Sequence, residues 1–355
     1  MKLRNCKQVT NYILGENSLE QLWEDVLEDK IISDTDYVVY CIDHFFESYE
    51  NGLIDLLPIR NIDTIFYIDT TDEPHADYIN ELIEIVRTNK KLPSAVVGIG
   101  GGSTMDIAKA ISILCTNEGK AEDYQGWDLV KNKAIFKVGI PTISGTGAEF
   151  TRTCVMTSKI KKLGINSDQS VFDQVIMDPN LLKTVPNNQF FYTAMDCFVH
   201  NVESLRGSQN DSLTIAFAEK SLEMMKDVFF NKMDLEKLMV ASAMGGTAVA
   251  NSNVGICHPL SYGLSLVLGL HHGMAICIAF NQLEEYYPEV KDFKEYLIKY
   301  DIILPKINEM EVSEKQIEKM ADATLLNEKP LENAFGPNWK NIFTKDKVIK
   351  LIKKM

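Results

Sequence analysis

The stretch Ser94-Ala-Val-Val-Gly-Ile-Gly-Gly-Gly-Ser-Thr-Met-Asp-Ile-Ala-Lys-Ala-Ile-Ser-Ile-Leu114 decides the fold of the first half of the chain. Ser94 to Ile99 has the apolar continuity of a buried strand, and it passes through glycines into a helical pattern over Thr104 to Leu114. Similar β-branched and aromatic runs lie at Asp36 to Ile42, Asp63 to Ile68 and Phe136 to Ile140, with helical patterns between them. Such strands, alternating with helices, predict a parallel Rossmann-like sheet covered on both faces. After Pro186 the strand signals fade. Helical periodicity rich in Ala and Met follows, interrupted near Gly245-Gly246 and Gly255. The 355 residues thus read as an α/β domain over 1–185 and an all-α domain over 186–355.

Composition narrows the function. A formal charge of −14 argues against broad contact with nucleic acid, which requires clustered Lys and Arg on one face. The lysines of Lys345 to Met355 flank Val348, Ile349, Leu351 and Ile352 at helical spacing, the pattern of a terminal helix with a solvated basic face. The seven cysteines, Cys6 among them, are scattered without a Cys-x-x-Cys pair, which predicts reduced thiols. The N-terminal residues contain no apolar block suited to a signal peptide, and Leu260 to Leu270 is too short and glycine-broken to span a bilayer. The expectation is a cytoplasmic protein without membrane contact.

Glycines at Gly98, Gly100, Gly101 and Gly102, with Ser103, stand where the strand meets the helix. There the backbone N–H groups and the helix dipole suit a pyrophosphate, with Ser103 as the expected N-cap and Asp106 in the first turn. A structural chain reversal is the competing reading of glycines alone. A second turn, Pro141-Thr-Ile-Ser-Gly-Thr-Gly-Ala-Glu149, also follows an apolar strand, and the two are expected to line one nucleotide. Asp43, just past a strand, suits the two ribose hydroxyls of an adenosine and disfavours a 2′-phosphate, so NAD is expected over NADP. An ordinary turn or cap role is the alternative for Asp43.

Asp196 and His200 lie four residues apart in a helical segment and so project from one face. His258 and His272 add two imidazoles, and four of the six histidines fall between residues 200 and 272. Three imidazoles and a carboxylate suit Fe²⁺ or Zn²⁺ and are too rich in nitrogen for Mg²⁺ or Ca²⁺. Such a cation would lower the pKa of an alcohol hydroxyl and ease hydride loss from its carbon. Cys197 and Cys257, next to ligands in sequence, are read as core packing.

Gly100-Gly-Gly-Ser103-x-x-Asp106-x-Ala108-Lys109, Pro141-Thr-x-x-Gly145-Thr-Gly147-x-Glu149-x-Thr151, Asp196-x-x-x-His200, and His258 with His272-Gly273 together resemble the iron-containing (group III) alcohol dehydrogenases. The resemblance spans roughly residues 95 to 280 and implies a dinucleotide-binding domain, a helical metal domain and a homodimer. It carries the metal ligands onto Asp196, His200, His258 and His272, and the pyrophosphate loop onto Gly100, Gly101, Gly102 and Ser103. Thr142 and Thr146 carry over as nucleotide contacts, and Lys162 as a neighbour of the nicotinamide ribose. Tyr262 stands where the family commonly has a proton-relaying His, and its hydroxyl or His271 is expected to substitute. Arg152 and Arg206 depart from the usual pattern and suggest an anionic substrate. With the short C-terminal region, they are similar to a subgroup that oxidises C8 of 3-deoxy-D-manno-octulosonate (Kdo) for lipopolysaccharide synthesis. A general NAD-linked alcohol dehydrogenase, a dehydroquinate-synthase-like sugar cyclase and a non-catalytic nucleotide sensor are the rival readings.

Overall fold

The structure, a computed structural model, describes residues 7–47, 52–71, 73–159 and 162–355. It divides into two compact units, one of residues up to Ile143 with Gly147–Thr184, the other of Ser144–Thr146 with Val185–Met355. Cys6 lies outside the described residues, and the remaining six cysteines are free thiols.

Among its described residues the first unit contains nine strands: β1 (Asn11–Leu14), β2 (Val38–Asp43), β3 (Thr64–Ile68), β4 (Ala95–Gly100), β5 (Gly126–Trp127), β6 (Lys137–Pro141), β7 (Thr153–Thr157), β8 (Lys162–Asn166) and β9 (Gln174–Met177). Six form one sheet in the order β1-β9-β6-β4-β2-β3, with every pairing parallel. Its helices are α1 (Leu53–Leu56), α2 (Ala76–Arg87) and α3 (Gly102–Leu114). Alternate strand residues explain the unbroken apolar runs. Val39, Cys41 and Val96 join Ile79, Ile83, Ile107 and Ile111 of α2 and α3 in one core. Val38, Tyr40, Ile42, Val97 and Ile99 pack on the other face with Leu19, Leu22 and Leu53. Each such side chain contributes on the order of 1.5–3 kcal/mol by leaving water. Gly98 sets the contact of sheet with helix, since a Cβ there would lie 2.8 Å from the Ala108 Cβ.

The sheet changes direction between β2 and β4. The chain steps outward from β2 to β3 and then returns to place β4 on the other side of β2. A crevice at such a reversal, beyond the carboxyl ends of the strands, is where open α/β sheets bind ligands. The separate sheet β5-β8-β7, antiparallel between β7 and β8, was not foreseen from sequence. Its strands are short and mix polar with apolar residues, so their periodicity is weak.

The second unit is helical: α4 (Asn187–Arg206), α5 (Ser212–Phe230), α6 (Leu235–Asn251), α7 (Cys257–Leu268), α8 (His272–Phe280), α9 (Val290–Lys299), α10 (Glu314–Leu325), α11 (Glu328–Phe335), α12 (Trp339–Ile342) and α13 (Lys345–Ile352). From Thr193 to Ser204, α4 is buried without a break, the mark of a central helix. The interruption expected at Gly245-Gly246 does not occur, and α6 runs through it. Gly245 is a packing device: a Cβ there would lie 2.9 Å from the Cys197 Sγ of α4. The second expected break is real, because Gly255 sits in the link from α6 to α7. Helix α13 buries Val348, Leu351 and Ile352 and pairs Lys345 with Asp322, while Lys353, just past its end, pairs with Glu314. Among the described residues no helix is long and apolar enough to cross a membrane.

Candidate metal centre

Three imidazoles surround one carboxylate in the helical unit. Asp196 Oδ1 lies 3.8 Å from His200 Nε2, 3.4 Å from His258 Nε2 and 3.7 Å from His272 Nε2. Helix α4 supplies Asp196 and His200 from one face, α7 supplies His258 from its first turn, and α8 begins at His272. The rings of His200 and His258 stack with centroids 4.5 Å apart, and those of His258 and His272 are 5.5 Å apart. One ligand atom each from Asp196, His258 and His272 falls within a 4.8 Å cluster.

The carboxylate at the centre of this cluster is buried and unsatisfied. Asp196 is 1% exposed, yet neither carboxylate oxygen has a hydrogen-bond partner among the described residues, and neither does His258 Nε2. Leaving such groups unpaired costs roughly 1–3 kcal/mol each, and more for a charge. A cation removes that cost. Ligands about 2.1 Å from one ion and about 109–120° apart lie roughly 3.4–3.6 Å from one another, close to the separations found here. The donor set therefore fits a divalent transition metal.

The charges point the same way. Burial pushes the Asp196 carboxyl up, but His200, His272 and His258 outweigh it and hold the group far below the usual carboxylate range. Burial drives His200 down to about 4 despite Asp196. His258 is also penalised by burial, but Glu203 and Asp196 lift it to about 9.

Glu203 was missed in the sequence. Its Oε2 is 2.5 Å from His258 Nδ1, which donates to it and so turns the Nε2 lone pair toward Asp196. The signal was available: Glu203 follows Asp196 by seven residues and His200 by three, on the same helical face. Tyr262, on α7, stacks on the His272 ring with centroids 5.7 Å apart, while His271 is exposed at the N-cap of α8.

In the α/β unit, Gly100, Gly101, Gly102 and Ser103 lie at the carboxyl end of β4, beside the sheet reversal. Two expectations fail here. Helix α3 starts at Gly102, so the N-cap is Gly101 and not Ser103, and no side chain caps the end. Asp106 is not a first-turn acid facing a ligand, because its Oδ2 accepts the Val155 N–H at 2.8 Å and Oδ1 lies 3.4 Å from Lys109 Nζ. The result is an uncapped helix start whose donors suit a phosphate. A Cβ at Gly101 would come 2.9 Å from Ile143, so the turn has no room for a side chain. Asp43 ends β2 and accepts from Thr70 Oγ1 at 3.3 Å. Its carboxyl is raised by burial, against the Phe45 N–H and His44. Thr142 donates its N–H to Gly100 O at 3.0 Å, joining the two turns, whereas Thr146 falls in the helical unit. Lys162 is buried in β8 and paired with Glu73.

Arg152 is not a free substrate anchor. Its guanidinium reaches Asp128 at 2.5 Å and Asp168 at 3.1 Å, so both neighbouring acids already satisfy it. Arg206 is likewise spent, 2.5 Å from Glu289.

The profile of the iron-containing alcohol dehydrogenases matches residues 9–179, and that of the Fe-containing alcohol dehydrogenase family C-terminal domain matches 190–299. A sulfoacetaldehyde reductase of Bilophila wadsworthia is 29% identical over 265 residues, 72% of this chain and 67% of that enzyme. Alcohol dehydrogenase 4 of Schizosaccharomyces pombe is 28% identical over 66% of this chain and 58% of its own length. The chain thus aligns with about three fifths to two thirds of these two relatives. The crystal structure of sulfoacetaldehyde reductase from Bifidobacterium kashiwanohense with NAD⁺ superposes with a TM-score of 0.80, at 21% identity, over 99% of this chain and 98% of that one. The α/β sheet followed by a helical bundle is the fold of those proteins, and both profiles fall on it in order: the chain belongs to the iron-containing alcohol dehydrogenase family.

Proposed function

We propose that the chain is a metal-dependent alcohol oxidoreductase that interconverts a small polar primary alcohol and its aldehyde. In this reading Asp196, His200, His258 and His272 hold one Fe²⁺ or Zn²⁺, and NAD rests on Gly100 to Ser103. The observation that carries it is the convergence of three Nε2 atoms on Asp196 Oδ1 at 3.4–3.8 Å, in a buried cluster whose carboxylate has no hydrogen-bond partner among the described residues. When bound, the cation supplies Lewis acidity toward the substrate oxygen and the nicotinamide accepts or returns hydride.

The chain's own residues do the rest. Asp196 neutralises part of the cation's charge from inside the cluster, and Glu203 fixes the orientation of His258. Tyr262, stacked on His272, presents a hydroxyl for the proton of the alcohol, with His271 as the exposed alternative. Asp43 receives the adenosine ribose and disfavours a 2′-phosphate. Thr142, Thr146 and Lys162 complete the nucleotide contacts, Lys162 with its charge balanced by Glu73.

An anionic substrate draws support from the Bilophila relative, whose named substrate carries a sulfonate. The narrower reading, oxidation of Kdo at C8, rests on motif resemblance alone, because Arg152 is committed to Asp128 and Asp168. A cytoplasmic homodimer completes the proposal. To test it, the protein is stripped with a chelator, reloaded with Fe²⁺ or Zn²⁺, and assayed by reduced-nicotinamide absorbance against short alcohols, ω-hydroxy acids and Kdo. Metal-dependent NAD reduction with at least one alcohol is expected. Turnover indifferent to the chelator, or none with any alcohol, overturns the reading.

A further inference from the structure

Behind His258 lies a closed polar network. Glu203 is 1% exposed and has both oxygens engaged. Oε2 takes the Nδ1–H of His258 at 2.5 Å, while Oε1 accepts the Cys257 N–H at 2.6 Å and the Tyr287 hydroxyl at 3.3 Å. Tyr287 in turn accepts the Ile256 N–H at 3.1 Å. Two backbone N–H groups at the start of α7 are therefore tied, directly or through one hydroxyl, to the carboxylate that orients a ligand of the cluster.

The space for this network is specific. A Cβ at Gly255 would lie 2.5 Å from the Tyr287 hydroxyl and 3.0 Å from Glu203 Oε1, so only glycine lets the three groups meet. The Tyr287 ring stacks on Phe280 with centroids 5.8 Å apart and planes at 22°. Packing alone would be served by phenylalanine; the hydroxyl serves the carboxylate.

We propose that Tyr287 and Glu203 form a positioning relay that locks His258 with its proton on Nδ1 and its Nε2 lone pair toward Asp196, and so sets the strength with which the cluster holds its cation. The relay rests on the metal reading above. Its physical basis is that a carboxylate behind a ligating imidazole fixes the ring's tautomer and raises its basicity, and losing such a partner typically weakens metal binding about 10- to 100-fold. Tyr287 acts one bond further out, so a smaller loss, about threefold to tenfold, is expected from it.

The test uses the full chain, chelator-stripped and titrated with Zn²⁺ against a competing chromophoric chelator. Wild type should take up one ion per chain. Glu203→Gln should weaken Zn²⁺ binding about 10- to 100-fold, and Tyr287→Phe about threefold to tenfold, while Tyr286→Phe leaves it unchanged. Tyr287→Phe keeps the ring stacked on Phe280, so it decides alone if Glu203→Gln fails to fold. Wild-type affinity in folded Tyr287→Phe and Glu203→Gln overturns the relay and leaves the metal reading intact. A wild-type chain that binds no ion overturns the metal reading itself.

Discussion

The Asp196 cluster and the Arg152 cluster both gather charged side chains, and they end in opposite states. Arg152 lies between Asp128 and Asp168, partly exposed, with its charge answered by its neighbours. Asp196 is buried among three imidazoles whose Nε2 atoms face it without hydrogen-bond alignment. An ion pair that satisfies itself is structure. A buried carboxylate whose oxygens are left open, ringed by imidazole nitrogens, is built for something further.

The sharpest way to break this contrast is to remove one member of each cluster. If the proposed site is right, Asp196→Ala should abolish measurable turnover and weaken Zn²⁺ binding by more than about 100-fold, since in that reading Asp196 is a direct ligand and counts for more than the groups that orient one. Calorimetric titration of the apo-protein checks it, and near-normal affinity in the variant would erase the distinction between the clusters.

The helical frame around Asp196 should tolerate little. A Cβ at Gly145 would lie 1.8 Å from the Thr193 carbonyl oxygen, one turn before Asp196, so backbone must move. Gly145→Ala is expected to lower the unfolding free energy by about 3 kcal/mol in urea titrations. A loss of well under 1 kcal/mol would show that the segment yields easily.

Glu149 is a third buried acid, one without an ion pair among the described residues. Burial lifts its carboxyl from 4.5 to about 7, against its own N–H and Lys109. The folded chain thus binds a proton that the unfolded chain releases between pH about 4.5 and 7, and stability falls as pH rises through that window. Glu149→Gln should flatten this slope and gain up to about 3 kcal/mol at pH 8, read from denaturation midpoints across pH. An unchanged slope refutes it.

Arg152→Ala should have the smallest effect. A partly exposed ion pair is worth about 1 kcal/mol or less, and no change in Zn²⁺ affinity is expected. A selective loss of activity toward anionic substrates would instead restore Arg152 as a substrate anchor.

Much of this was legible in the sequence because it is periodic. The β2, β3, β4 and β6 runs betray burial on both faces, and Asp196 with His200 betrays a shared helical face. What escaped depends on contacts distant in sequence. Nothing near Asp106 reveals that Val155 will claim its carboxylate, and nothing near Arg152 reveals Asp128. Gly245-Gly246 read as a break because propensity sees the cost of glycine in a helix and not the closeness of Cys197 that requires it. Glu203 was readable from its spacing on α4; Tyr287, 84 residues away, was not.

The most direct test of the central claim is anomalous diffraction from crystals of the Zn²⁺-loaded protein at the zinc absorption edge. A single strong peak within roughly 2.0–2.3 Å of Asp196 and of the His200, His258 and His272 Nε2 atoms is the predicted result. A peak elsewhere, or none with the three imidazoles still closed around Asp196, would contradict it.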